Sequence, residues 1–337
     1  MVVRAVQVAE FGGPEVLTVR EVPEPVPGPG EVVVDVAAAD VMFLDARLRG
    51  GWGGDYFQLA TPYVPGGAVA GVVGAVGDGV DESWIGKRVT TATAASKIGG
   101  GRPIGGYAEK ALASAATLTV VPDGLSLAQA VALAHDGQTA LAVFDKAAIQ
   151  PGEWVLITAA GGGLGTLLIQ LARAAGAHVV AAARGSAKLA LAERLGADVV
   201  VDYTEPGWSD KARAATGGSG ANVVLDGAGG ALGEAAFDAI ADNGRFLGYG
   251  MAAGEFAAID SASAAARGIT VTGLLDVTDA ETDWSRLAER SLAEAAAGRL
   301  EVVIGQTFPL DAAEKAHAAI ESRTAVGRTL LTLDSAV

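Results

Sequence analysis

Two kinds of apolar pattern follow one another along the chain. In the first stretch, "VVRAVQVAEFG", "VLTVREVP", "GEVVVDVAAAD" and "AGVVGAVGDGV" alternate or run apolar over strand lengths, with Pro and Gly between them. That punctuation predicts a compact, mostly β domain. "EPVPGPGE" (Glu24–Glu31) is a connector that cannot lie inside a helix or a central strand. Near Leu125 the period changes: "LSLAQAVALAHDGQTALAVFDKA" carries helical spacing, with Ser126 as its N-cap. Strands and helices then alternate. Strands are expected at Trp154–Ala159, Val179–Ala183, Asp198–Asp202, Asn222–Asp226, Gly244–Gly250 and Ile269–Leu275. Helices are expected at Gly163–Ala175, Ser186–Leu195, Ser209–Thr216 and Leu232–Ala241. Six strands joined by crossovers predict a doubly wound parallel sheet. The tail holds helices around Trp284–Ala297 and Ala312–Glu321 and a last strand, Arg328–Leu333.

Composition narrows the chemistry. A chain of 337 residues, half of them apolar, has room for two folded domains. With 24 Lys+Arg against 39 Asp+Glu its net charge is -15, a field that repels phosphate backbones and anionic lipid. Nucleic acid and membrane surfaces are therefore not expected partners. The absence of cysteine excludes disulfides, thiol nucleophiles and thiolate metal sites. The three histidines, His135, His178 and His317, are widely separated, and no metal site is expected. "MVVRAVQVAEFGGPE" lacks the features of a signal peptide. The most apolar run, Leu164–Ala183, is broken by Arg173, Gly176 and His178, so a cytoplasmic location is expected.

The glycine cluster after the Trp154 strand gives the first candidate site. Ala160, Gly162 and Gly165 form a G-x-G-x-x-G variant with alanine first, and Gly163 and Leu164 carry the turn into a helix. A tight turn, backbone close to a pyrophosphate and free N–H groups at a helix N-terminus are what a dinucleotide needs. The end of the second strand, "AARGSAK", offers Arg184, Ser186 and Lys188 and no acid before Glu193. A carboxylate there would accept from a ribose 2′-OH, whereas cations and a hydroxyl suit a 2′-phosphate. NADPH is the cofactor expected, with a solvated first-turn lysine as the alternative for Lys188.

With these residues in view, the chain resembles the zinc-independent quinone oxidoreductase (zeta-crystallin-like) branch of the medium-chain dehydrogenase/reductase superfamily. The likeness rests on "GGPEVL", "PGPGEVVV", "AGVVGAVGDGV", "GGYAEKALA", "GQTAL", "AAGGGLG" and "AHAAIESR", and on Phe43, Asp45 and Arg49 of "MFLDARLR". It implies an α/β fold: a Rossmann-type doubly wound parallel sheet plus a mostly β GroES-like catalytic domain, with the cofactor in the cleft between them. The catalytic domain is expected over 1–127, completed by 276–337, and the dinucleotide-binding domain over 128–275. It also implies metal-free hydride transfer from NADPH to a small molecule, a quinone or enone. By position, Tyr203 and Arg323 match contacts to the 2′-phosphate beside Lys188. Thr139, Tyr249, Gly250 and Met251 match the surroundings of the nicotinamide. A homodimer joined through "ITVTGLL" is implied as well.

The departures bear on the acceptor. Met42 stands where the family carries asparagine, Arg47 where it carries tyrosine, and Ala68 where relatives often carry Glu. A thioether cannot donate a hydrogen bond to a carbonyl. Developing enolate charge needs a holder and a proton source. Arg47 is a candidate for the first, against a solvated helix arginine. Asp45 reads as an acid or as a structural acceptor, and His135 as a proton relay or a partly buried histidine. Tyr63 or Tyr56 could be a phenolic donor, while His178 and His317 read as surface residues. Two other outcomes stay open: an enoyl-thioester reductase, or an NADPH-binding protein with little turnover.

Overall fold

The computed structural model describes residues 1–53, 59–93, 104–277 and 281–333. The chain divides into two compact units, Met1–Gly137 with Ala288–Val337, and Gln138–Leu287. These boundaries fall somewhat later in the chain than the expected ones. Among the described residues no helix is long and apolar enough to cross a membrane.

In chain order the first unit holds β1 (Val2–Val8), β2 (Leu17–Pro23), β3 (Glu31–Val41), α1 (Phe43–Arg49), β4 (Ala68–Val76), β5 (Arg88–Ala92), β6 (Lys110–Ser114), β7 (Thr119–Val120) and α2 (Leu127–Leu133). α3 (Asp136–Ala147) begins at the boundary. The second unit continues with β8 (Trp154–Ile157), α4 (Gly163–Ala174), β9 (His178–Ala183), α5 (Ser186–Arg194), β10 (Val199–Asp202), α6 (Trp208–Ala215), β11 (Ala221–Asp226), α7 (Gly230–Asp238), β12 (Ile240–Gly248), α8 (Ser261–Ala266), β13 (Thr270–Gly273) and α9 (Leu274–Val277). After α10 (Trp284–Ala296) the first unit is completed by β14 (Ile304–Pro309), α11 (Ala313–Glu321) and β15 (Arg328–Thr332).

The first unit is built on a sheet ordered β14-β15-β3-β4-β5-β7, with β6 also on β3 and a separate β1-β2 hairpin. Its centre is β3, "EVVVDVAAADV", which is buried along nearly its whole length. Alternating valines send Val32, Val34 and Val36 into a core shared with Val6, Val8, Tyr107, Ala313 and Ala316. The second unit is a six-stranded sheet ordered β10-β9-β8-β11-β12-β13, every pairing parallel. Numbered from its first strand this is the 3-2-1-4-5-6 order of a dinucleotide-binding fold, with the switch point at the carboxyl ends of β8 and β11. The α/β class, with a parallel doubly wound sheet and a mostly β partner unit, is as expected.

Three elements differ from the sequence reading. The helical run after Ser126 is two helices: the chain breaks at Ala134–His135, and Asp136, opening α3, pairs with Arg328 of β15. β12 starts at Ile240, where a longer α7 is expected. A register shift against β11 lets the polar "ADNG" ride in the strand as a bulge, with Asn243 at φ +61°. β14 is an edge strand whose burial alternates along mixed polar residues, and it carries too weak an apolar signal to be expected.

Candidate functional site

The glycine turn leaves the sheet at its switch point. Thr158 N–H donates to Leu225 O of β11, and Ala160 N–H donates to Ala182 O of β9, so the turn is anchored to both neighbours of β8. Ala159 takes φ +50°, a left-handed conformation that is costly for a residue with a Cβ. α4 follows with Gly162 at its N-cap and no side-chain cap, leaving its first N–H groups without intrahelical partners. Gly165 permits this packing: a Cβ there would lie 2.7 Å from Ala159 O and 2.8 Å from Ala160 Cα. Those atoms are backbone and cannot swing aside.

Behind the turn, buried side chains pin the parallel loop after β11. Thr158 donates through Oγ1 to Asp226 Oδ1 at 2.5 Å. The N–H groups of Gly227 and Ala228 donate to Thr158 Oγ1, and those of Ala228 and Gly229 donate to the Asp226 carboxyl. Burial pushes that carboxyl's pKa up, against these donors. Tyr249 closes the arrangement, its hydroxyl donating to Thr158 O and its ring lying where a Gly227 Cβ would be. Gly250 N–H donates to Asp226 O, so Tyr249, Gly250 and Met251 run alongside this loop, and Thr139 is on α3.

The cationic end of β9 is also held to the glycine turn. A Cβ on Gly161 would lie 2.5 Å from Lys188 Cβ, 2.6 Å from Cγ and 2.9 Å from Cδ. The lysine stem on α5 therefore crosses the turn at the position the missing side chain leaves open. Arg184 and Ser186 are exposed beside it, and Tyr203 N–H donates to Ala183 O, which brings Tyr203 next to Arg184. The fold also delivers an acid that sequence distance hides. Asp202, from β10, accepts Gly185 N–H through Oδ2 at 2.9 Å. Its Oδ1 accepts the hydroxyl and N–H of Thr204, which with the Gly185 amide hold its pKa down.

The candidates of the first unit gather around α1. Met42 N–H at the helix start donates to Asp45 Oδ2 at 2.8 Å, and Tyr107 O–H donates to the same oxygen at 3.2 Å. Asp45 is buried, its other oxygen has no partner among the described residues, and burial pushes its pKa up to about 7. Tyr63 is buried, its hydroxyl has no partner among the described residues, and burial followed by the Asp45 charge raises its pKa. Arg47 stacks its guanidinium over Trp52, 5.1 Å from the ring centre, and its buried Nε has no partner among the described residues. His135 Nδ1 lies 3.8 Å from Asp40 Oδ2 and forms no hydrogen bond among the described residues. Arg323, in the turn after α11 at φ +62°, stacks on Phe43 of α1 at 4.4 Å. Tyr56 lies outside the described residues.

Three residues of this cluster were not among the expected ones. His317, read from the sequence as a surface residue, is fully buried. Its Nε2 is 3.0 Å from Tyr107 Oη and its Nδ1 3.5 Å from Arg49 Nη1. Arg49, itself buried, also pairs with Glu321. Burial and the Arg49 charge push the pKa of His317 down to about 3. His178 is exposed, as expected, and stacks on Trp154. Among the described residues no group of acids and histidines could hold a metal ion.

Comparison with known proteins agrees with this division. Residues 28–123 match the alcohol dehydrogenase GroES-like domain family, and residues 163–293 match the zinc-binding dehydrogenase family. The quinone oxidoreductase of Sus scrofa is 32% identical over 332 residues, covering 98% of this chain and 97% of its own. The 2-haloacrylate reductase of a Burkholderia species is 30% identical over 341 residues, covering 98% of each. The structure of Escherichia coli quinone oxidoreductase complexed with NADPH superposes with a TM-score of 0.85 at 27% identity, covering 98% of this chain and 99% of that one. The chain belongs to the quinone oxidoreductase branch of the medium-chain dehydrogenase/reductase superfamily.

Proposed function

We propose that the protein is an NADPH-dependent reductase that delivers hydride to a conjugated carbonyl compound, a quinone or an enone. The observation that carries this reading is Lys188 seated across Gly161, which supports a cation held beside the pyrophosphate turn where a 2′-phosphate would lie. The residues present fit the cofactor. The start of α4 has no side-chain cap on its first N–H groups, Gly165 gives the helix–strand approach, and Arg184, Ser186 and Tyr203 stand beside Lys188. Asp202 does not count against it, since both its oxygens are already engaged. NADPH supplies the hydride when bound. A named relative that reduces a 2-haloacrylate, whose double bond is conjugated to a carboxylate, supports acceptors beyond quinones.

At the acceptor side we assign Arg47 the role of steadying negative charge as it develops, since Met42 has no hydrogen to offer and its N–H is taken by Asp45. Asp45, Tyr63 and His135 are the neighbouring groups that can hold a proton. Arg323, stacked on Phe43, is assigned to the cofactor phosphate on the strength of the resemblance. The same loss of donors favours a second reading, an NADPH-binding protein with little turnover. Steady-state NADPH oxidation against a panel of quinones and enones separates the two. Oxidation with conjugated acceptors is expected, and tight NADPH binding with no acceptor reduced would refute the reductase. The working form is proposed to be a homodimer pairing at β13, an edge strand with Val271 exposed on it and Leu275 exposed on α9 just after it. Light scattering on Val271→Lys with Leu275→Lys should then report monomer, and an unchanged mass would refute that interface.

A further inference from the structure

The hydrogen positions along the buried chain of α1 follow from donor chemistry alone. A guanidinium only donates, so His317 Nδ1, facing Arg49 Nη1, must accept. In a neutral imidazole the other nitrogen then carries the hydrogen, and Nε2–H donates to Tyr107 Oη. Tyr107 spends its own hydrogen on Asp45 Oδ2, which already accepts Met42 N–H. Every donor therefore runs one way, from Arg49 through His317 and Tyr107 into one oxygen of Asp45. The other oxygen, Oδ1, is buried and receives no hydrogen bond among the described residues. A buried carboxylate with one oxygen bare is an expensive arrangement. It is worsened by Asp40, another buried carboxylate whose charge acts on Asp45. A hydrogen on Oδ1 removes the charge and leaves the donors on Oδ2 undisturbed.

We propose that Tyr107 and His317 are positioning residues: Tyr107, oriented by the hydrogen bond it accepts from His317, donates into Oδ2, which places the hydrogen of a neutral Asp45 on Oδ1 and leaves Arg47 as the uncompensated charge of α1. This rests on the reductase reading, in which Arg47 steadies charge on the acceptor. Arg47 has no ion pair among the described residues, only its ring contact with Trp52. Arg49, by contrast, is matched by Glu321, and Arg328 by Asp40 and Asp136. An ionised Asp45 two residues from Arg47 would offset the one charge left over. The groups acting on Asp45 are Asp40, Tyr63, Tyr107, His135 and Arg328, with His317 reaching it through Tyr107. Burial, the largest influence, favours the neutral form to about pH 7, while the Tyr107 and Met42 bonds favour the ion. His317, held near 3, stays neutral throughout and keeps the direction of the chain fixed.

The test reads Asp45 directly in the free protein, by infrared spectroscopy of the chain labelled with carboxyl-13C aspartate. A protonated carboxyl band, assigned by its loss in Asp45→Asn, should be present at pH 6 and vanish with a midpoint near 7. Tyr107→Phe and His317→Leu should raise the midpoint, since each weakens donation to the ion, and His317→Gln, which keeps a donor near Nε2, should restore it. In turnover, kcat/KM for a conjugated acceptor should fall roughly 10- to 100-fold above that midpoint, the size of a nearby opposing charge at intermediate dielectric. The fall should move with the Tyr107 and His317 variants and be absent from Asp45→Asn. An Asp45 already ionised at pH 6 in the wild-type chain overturns the proposal, as does a midpoint indifferent to Tyr107 and His317. A fall that persists in Asp45→Asn overturns it too. A chain that reduces no acceptor sinks the reductase reading instead, and the infrared titration still decides the state of Asp45.

Discussion

Replacing Gly161 by alanine should cost this protein NADPH far more than NADH. Gly161 does not occupy a left-handed conformation, so alanine is tolerated by its backbone and the effect must come from the new methyl group. That methyl would lie 2.5 Å from Lys188 Cβ and 2.6 Å from its Cγ, far inside van der Waals contact. The atoms it meets are the base of the side chain rather than its mobile end, so the whole lysine must leave the turn. If Lys188 meets a 2′-phosphate, the loss is one charge-assisted hydrogen bond, about 1.5–3 kcal/mol. In dissociation constants that is roughly 10- to 150-fold for NADPH. NADH lacks the phosphate and should change by no more than a few-fold. Titration calorimetry on wild type, Gly161→Ala, Lys188→Ala and the double variant measures it, and the cycle is the decisive part. Both substitutions remove the same contact, so the double variant should be little worse than either single one. Equal weakening of both cofactors, or full additivity with Lys188→Ala, would refute the placement of Lys188 at the phosphate.

Other expectations follow from the same contacts. Gly165→Ala meets backbone on every side and should destabilise the second unit by about 1–3 kcal/mol in urea unfolding. Gly162→Ala, whose Cβ meets only Ala159 O at 3.4 Å, should be much milder, and equal effects would refute the packing argument. Arg328→Met leaves Asp40 and Asp136 buried without their counter-charge and should cost about 3–5 kcal/mol at pH 8. The loss should shrink towards lower pH as Asp136, whose pKa burial raises, takes up its proton, and adding Asp40→Asn and Asp136→Asn should recover most of it. Asp45→Asn tests linkage. The folded carboxyl holds its proton to about pH 7, well above an unfolded aspartate, so wild-type stability must fall as pH rises through that window. Between pH 5 and 9 the wild type should lose about 3 kcal/mol relative to the variant. A constant difference across that range would show that Asp45 is ionised throughout.

The second unit was nearly all legible because its information is local. The turn, α4, β9 and the cations that follow are contiguous, and each residue's part is set by neighbours a few places away. What was missed there, the part of Gly161, needs the position of one side chain on the next helix. The acceptor end is written differently. Tyr107 and His317 are 210 residues apart and Arg49 and His317 are 268 apart, so nothing short-range joins them. One signal was present: Ala313, Ala316, His317 and Ile320 fall at i, i+3, i+4 and i+7, which places the histidine on the apolar face of α11. A polar residue on such a face is buried and must find partners. The pattern could have flagged His317 as buried, though not what it would meet.

Two aspartates show why residue type alone could not assign these sites. Asp202 and Asp45 both stand beside groups proposed to act on an anion, and in each case a carboxylate would oppose that role. At Asp202 the donors are spread over both oxygens, the hydroxyl and N–H of Thr204 on one and the Gly185 amide on the other. Its pKa is held down by them and the ion is already spoken for. Its charge is drawn into the turn it organises, which is compatible with a phosphate nearby. At Asp45 the donors crowd onto one oxygen, burial outweighs them, and neutralisation removes the conflict. The fold disposes of one acid by satisfying it and of the other by protonating it. Which happens depends on where two or three donors point, and those donors arrive from the turns after β9 and β10, from the residue before α1 and from the residues before β6.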